Sequence, residues 1–177
     1  LYSVGLSNGA RLADANRSKN FFGTLRAELP DGPLAGSALT GWGMWGRDTA
    51  NSSTAQLKNT FWAASAGANL RWKDLDLIGE YIQMNEKNYN MATNLTNKRH
   101  AITGQLGYLV NPKWFAALQY DYVKDNQNSA SEFHKVSEHV SYMPRQNMRI
   151  GLTTRQDFSN PANGKQHEFL LNVRAMF

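Results

Sequence analysis

The side chains in this 177-residue sequence best suited to proton transfer near neutral pH are four histidines, His100, His134, His139 and His167. A hydrolytic site sets such a histidine within hydrogen-bond reach of a nucleophile, or of carboxylates that activate water. His134 and His139 are five positions apart, so an extended chain turns them to opposite faces. His100 and His167 fall near expected strand starts, where a rim histidine is more often solvated than catalytic. Ser and Gly form no nucleophile-elbow arrangement, and the histidine spacing converges on no metal. With no cysteine in the chain, a thiolate metal site, a cysteine nucleophile and a disulfide framework are excluded together. The expectation is a protein that is not an enzyme and carries neither cofactor nor metal.

The remaining charge is abundant and dispersed. Lys and Arg number 19 against 14 Asp and Glu, a net charge of +5. The basic residues are scattered among aromatics and acids rather than clustered, which argues against a nucleic-acid partner. No apolar run approaches the ~20 residues that a membrane-spanning helix needs. Strands need only about 9–11 tilted residues and alternate lipid-facing with interior-facing side chains. A mean hydropathy of -0.55 is therefore compatible with a strand-built membrane wall.

The elements that would position these charges are legible from the carboxy terminus backwards. In residues 167–177, Phe169, Leu171, Val173, Ala175 and Phe177 share one face, while Glu168, Asn172 and Arg174 share the other. Upstream, strands are expected at 148–158, 133–142, 114–123, 99–110, 75–86, 60–72, 34–46, 20–29 and 1–7. The connections alternate in length. Turns are expected at 143–147, 111–113, 73–74 and 30–33, and polar loops at 159–166, 124–132, 87–98, 47–59 and 8–19. Short turns at one end and long loops at the other are the asymmetry of an all-β, antiparallel transmembrane β-barrel with short periplasmic turns and longer external loops, about ten strands in this chain. In residues 60–72 the apolar face Trp62, Ala64, Ala66, Ala68, Leu70, Trp72 carries a Trp at each end, as interfacial girdles require.

The same alternation sends Arg26, Arg71, Glu80, Arg99, Asp121, Arg149, Arg155, Asp157, Glu168 and Arg174 to the interior face as candidate pore-lining residues, with Glu28, Asp76, Gln105 and Lys135 beside them. Both signs are present, with a slight cationic excess. Rings of Arg and Lys favour anions, so Arg149, Arg155 and Arg174 would suit an anion path. Asp157 and Glu168 lie on the same two strands and could instead pair with them. Strand 133–142 fits least well, because its apolar phase turns Glu138 outward.

The segment Phe169-Leu-Leu-Asn-Val-Arg-Ala-Met-Phe177 resembles the carboxy-terminal signal read by the barrel-assembly machinery of Gram-negative outer membranes. Leu77-Ile-Gly-Glu-Tyr81, residues 114–122 and Met143-Pro-Arg-Gln-Asn-Met-Arg-Ile150 look like closing strands of phosphate-selective-type porins. That likeness covers patches of the last hundred or so residues and maps no residue onto that family's substrate ladder, so phosphate selectivity does not transfer. It implies an integral outer-membrane protein with its carboxy terminus on the periplasmic side. The implied function is passive diffusion of small hydrophilic solutes or ions. The implied partners are outer-membrane lipid and lipopolysaccharide, the assembly machinery and a homotrimer. The chain is expected to be a single β-barrel domain over residues 1–177, the carboxy-terminal portion of a larger barrel. The alternative is a scaffold barrel without an open channel, since about 8–10 strands leave an interior largely filled by side chains.

Overall fold

The computed structural model describes residues 1–8, 19–51, 56–87, 96–126, 132–145, 148–159 and 166–175. Ten strands run through them: β1 (Tyr2–Asn8), β2 (Lys19–Glu28), β3 (Ala38–Asn51), β4 (Gln56–Trp72), β5 (Leu75–Lys87), β6 (Thr96–Asn111), β7 (Trp114–Asp125), β8 (Phe133–Arg145), β9 (Met148–Asp157) and β10 (Gln166–Ala175). They form one antiparallel sheet in sequence order, each strand paired with the next. The strand count and the up-and-down path match the sequence reading. Among the described residues β1 and β10 are not paired with each other, so the sheet has two free edges and the expected closure of the barrel is not seen.

Several boundaries differ from the sequence reading, each for a local reason. Residues 47–59 were expected as loop, yet β3 and β4 continue their ladder to the pair Asn51 and Gln56. Polar composition hid strands that project beyond the apolar band. The same effect lengthens β6 at its start and β7 at its end, taking Asn97, Lys98 and Asp125 out of the expected loops. The turn expected at 30–33 is a nine-residue connection, 29–37, so β3 begins at Ala38 rather than residue 34. Two turn hydrogen bonds, Ala35 N–H to Gly32 O and Ser37 N–H to Leu34 O, hold it, and Gly36 takes a φ of 83° that a side chain would oppose. Ser37 is buried beneath it, its hydroxyl oxygen accepting the Arg71 N–H at 2.7 Å. Pro144 was expected in a turn but lies within β8, where the register slips between Tyr142 and Arg145. Proline has no amide to donate and is accommodated at such irregularities.

Two expected turns stand as read. Lys73 and Asp74 join β4 to β5, with Lys73 at a φ of 52°. After β6, the Asn111 side-chain oxygen accepts the N–H groups of Lys113 and Trp114, a side chain closing its own turn.

The two faces of the sheet differ in kind. One carries Val4, Leu25, Leu39, Trp62, Leu77, Ile102, Leu106, Leu118, Val140 and Leu152, all substantially exposed. An apolar face this extensive, uncovered by any other layer among the described residues, marks a surface that meets lipid or protein. Aromatic side chains bound it towards the loop ends with Phe21, Trp45, Trp62, Tyr81 and Tyr122, and towards the turn ends with Trp72, Tyr108, Trp114 and Tyr142. The opposite face holds the buried polar groups Asn97, Ser137 and Ser141. Burial in a single-layered sheet requires that this polar face be the concave one. Glu138 lies on the convex face, as the sequence phase required, where it accepts a hydrogen bond from the Thr154 hydroxyl at 3.2 Å.

Ala66 sits mid-strand on the convex face and Gln105 on the concave one. Ala66→Arg is expected to destabilise the protein in lipid vesicles by ~2–4 kcal/mol, and Gln105→Arg by far less, in urea titrations. Equal losses would contradict the assignment of faces.

Candidate functional site

Register determines which interior side chains meet. One row crosses the concave face from β2 to β9 as Arg26, Thr40, Gly67, Glu80, Thr103, Asp121, Lys135 and Asp157. Within it the Trp42 indole N–H donates to the Glu80 carboxylate at 3.1 Å, reaching from β3 to β5 across Gly67. A Cβ at Gly67 would lie 3.0 Å from both the Thr40 hydroxyl and the Gly79 carbonyl oxygen, so this span depends on a residue without a side chain. Asp121 accepts from the Thr103 hydroxyl at 2.5 Å and from the Gln119 amide at 2.9 Å.

All ten interior residues inferred from the sequence fall on the concave face, but they do not form one cluster. Arg26 pairs with Glu28 at 2.9 Å near the turn end of β2. Arg71 lies opposite Asp76 in register. Arg99 contacts Asp125 at 3.0 Å and Glu86 at 3.8 Å near the loop end, and Asn97 donates to the same Asp125 at 3.0 Å. Arg155 meets Glu168 at 3.6 Å, the pairing that the sequence left open. Arg174 lies directly opposite Arg149, an unfavourable like-charge pair. Asp157 is held by the hydroxyl and the backbone N–H of Ser159.

A cavity of about 660 Å³ opens on the concave face of β6 to β9. Asp121, Lys135, Arg149 and Arg155 line it, together with His139 and Phe115. His139, which the sequence reading set aside, is fixed on both nitrogens. Nε2 lies 2.9 Å from Arg149 Nη2, and Nδ1 lies 2.8 Å from the Thr153 hydroxyl. A guanidinium can only donate, so His139 Nε2 is the acceptor and this geometry belongs to the neutral ring. Arg149 also stacks over Phe115, its guanidinium carbon 5.8 Å from the ring centroid. His134, as the alternation required, faces the other way, against the Tyr120 hydroxyl at 2.9 Å.

The slight cationic excess expected from the sequence is not found on this wall. Glu86 and Asp125, which the sequence reading placed at a strand end and in a loop, join it. The described wall is divided by sign. On β5 to β7, Asp76, Glu80, Glu86, Asp121 and Asp125 face Arg99, whereas on β8 to β10, Lys135, Arg149, Arg155 and Arg174 face Asp157 and Glu168. Of the residues likened to an assembly signal, Phe169, Leu171 and Val173 lie on the convex face of β10 and are 73%, 72% and 64% exposed at its free edge. Ala175 ends that strand, and Phe177 lies outside the described residues.

No family model matches the chain, and no curated protein matches it. A solved structure described as "KdgM porin" aligns over 99% of this chain and 96% of its own, with 11% sequence identity and a TM-score of 0.48.

Gly67→Ala is expected to destabilise by about 1–3 kcal/mol through this crowding, while Gly79→Ala, whose Cβ would meet nothing within 4 Å, is expected to be neutral or slightly stabilising. Unfolding midpoints of the two variants in detergent give the comparison.

Proposed function

We propose that this sheet is the wall of an outer-membrane porin that passes small hydrophilic solutes by passive diffusion. The observation that carries the reading is the division of one sheet into two surfaces, an uncovered apolar face bounded by aromatics and a concave face lined with charge and holding a cavity. Backbone groups in hydrocarbon must be paired within the protein, and a closed antiparallel barrel is one of two structures that satisfy this; among the described residues every strand between β1 and β10 is paired on both sides, as in the wall of such a barrel. The short connections after β4 and β6 set against the long ones after β1 and β5 support an orientation with the turns and the carboxy terminus in the periplasm. In this reading the ten interior residues line the path, the convex face of β10 serves assembly, and lipopolysaccharide surrounds the loop end. The chain acts without catalysis. A homotrimer and a larger barrel containing this chain belong to the same proposal, whereas phosphate selectivity does not.

Conductance in planar bilayers tests it. The purified protein is expected to give discrete steps, and exchanging Arg149 and Arg155 together for Glu is expected to move the zero-current potential in a salt gradient towards cation preference. Inserted protein that gives no steps would leave a structural or binding role in place of permeation.

A further inference from the structure

The convex face carries a second organised charge feature at its loop end. Lys87 on β5, Lys98 on β6 and Lys124 on β7 are all exposed on this face. The register sets Lys87 opposite Thr96, Asn85 opposite Lys98, and His100 opposite Lys124. Each lysine is therefore the diagonal neighbour of the next, at a spacing of about 7–8 Å. Arg47 of β3 lies in the same row as Lys87 on the same face, with Thr60 between them. The carboxylates at this height, Glu86 and Asp125, are turned to the concave face and engaged with Arg99. Among the described residues one carboxylate joins the stack from outside, Glu132, which pairs with Lys124 at 2.8 Å. At this height the wall holds Glu86, Asp125 and Arg99 inward, and the three lysines with Glu132 outward.

Like charges at diagonal positions repel one another, and an external anion between them relieves that repulsion. The place of the stack tells what that anion is. Tyr81 and Tyr122 stand beneath it in one row with Ile102, Tyr120 follows one step lower, and Leu77, Leu106 and Leu118 lie lower still. Tyrosine marks the headgroup level of a bilayer, so the lysines lie where lipid phosphates lie. We infer that Lys87, Lys98 and Lys124 form a docking surface for the phosphate headgroups of an anionic lipid leaflet. This inference rests on the membrane reading above. The binding is electrostatic, with each lysine near such a surface expected to contribute about a fivefold gain in lipid affinity.

The test uses the full chain reconstituted in phosphatidylcholine nanodiscs with and without diphosphoryl lipid A, and native mass spectrometry to count retained anionic lipids. The variants are Lys87→Gln with Lys98→Gln, and as a control Lys73→Gln with Lys113→Gln, which removes two lysines at the turn end. The original protein and the control are expected to retain lipid A, and the Lys87/Lys98 variant to retain it about twenty-five-fold more weakly. Equal retention by both variants would overturn the inference. So would suppression of lipid retention by inorganic phosphate, which would show a site for free anion. A shift that follows protein concentration in pure phosphatidylcholine would assign the stack to a second copy of the chain and overturn it as well. Failure of the protein to enter the nanodiscs at all would overturn the membrane reading itself, whereas entry without dependence on lipid A overturns only the docking surface.

Discussion

Backbone hydrogen bonding is the constraint on which the rest of this structure depends. An amide or carbonyl removed from water without a partner costs several kcal/mol. An antiparallel ladder satisfies those groups strand by strand, whatever side chains it carries. That independence lets a chain with a mean hydropathy of -0.55 present an apolar surface on one side only. It also explains why β3, β4 and β6 run on past their apolar residues: the ladder continues as long as a neighbour supplies partners. The constraint is unmet at β1 and β10, whose outer edges have no partner strand among the described residues. Their convex side chains are also the most exposed, with Tyr2 at 79% and Val4 at 82%.

Once the ladder fixes the faces, charge follows. On the concave side, carboxylates collect on β5 to β7 and bases on β8 to β10, with Asp121, Lys135, Arg149 and Arg155 brought to one cavity. The individual contacts there are modest. Arg155 and Glu168 are 3.6 Å apart and half exposed, a geometry that contributes little to stability. Their value is positional: strands hold these side chains at fixed height and spacing, and a polar wall of fixed charges is what a path for hydrated solutes uses.

Much of this was legible because β-structure writes its faces into the sequence with a period of two. Strand number, order and the face of the ten residues read as interior followed from that alternation, down to Glu138 turned outward and His134 opposed to His139. Strand ends were less legible, because a polar residue that continues a ladder looks like a polar residue in a loop. That is why Asp125 was missed on the interior wall. The connection 29–37 was misread for a different reason: its Pro and Gly signalled a turn, but the burial of Ser37 against Arg71, a contact distant in sequence, set its length. Closure left no local trace at all, since it depends on what meets the two edges.

The central claim is that the two faces of the sheet meet different solvents. The chain has no cysteine, so single cysteines can be placed one at a time along β6 from Arg99 to Gly107, and the protein reconstituted in vesicles. The account predicts that a water-soluble maleimide labels cysteines at 99, 101, 103, 105 and 107, while probes at 100, 102, 104 and 106 are quenched by a lipid-borne quencher towards the middle of the strand. Uniform labelling along β6, or the opposite phase, would contradict it.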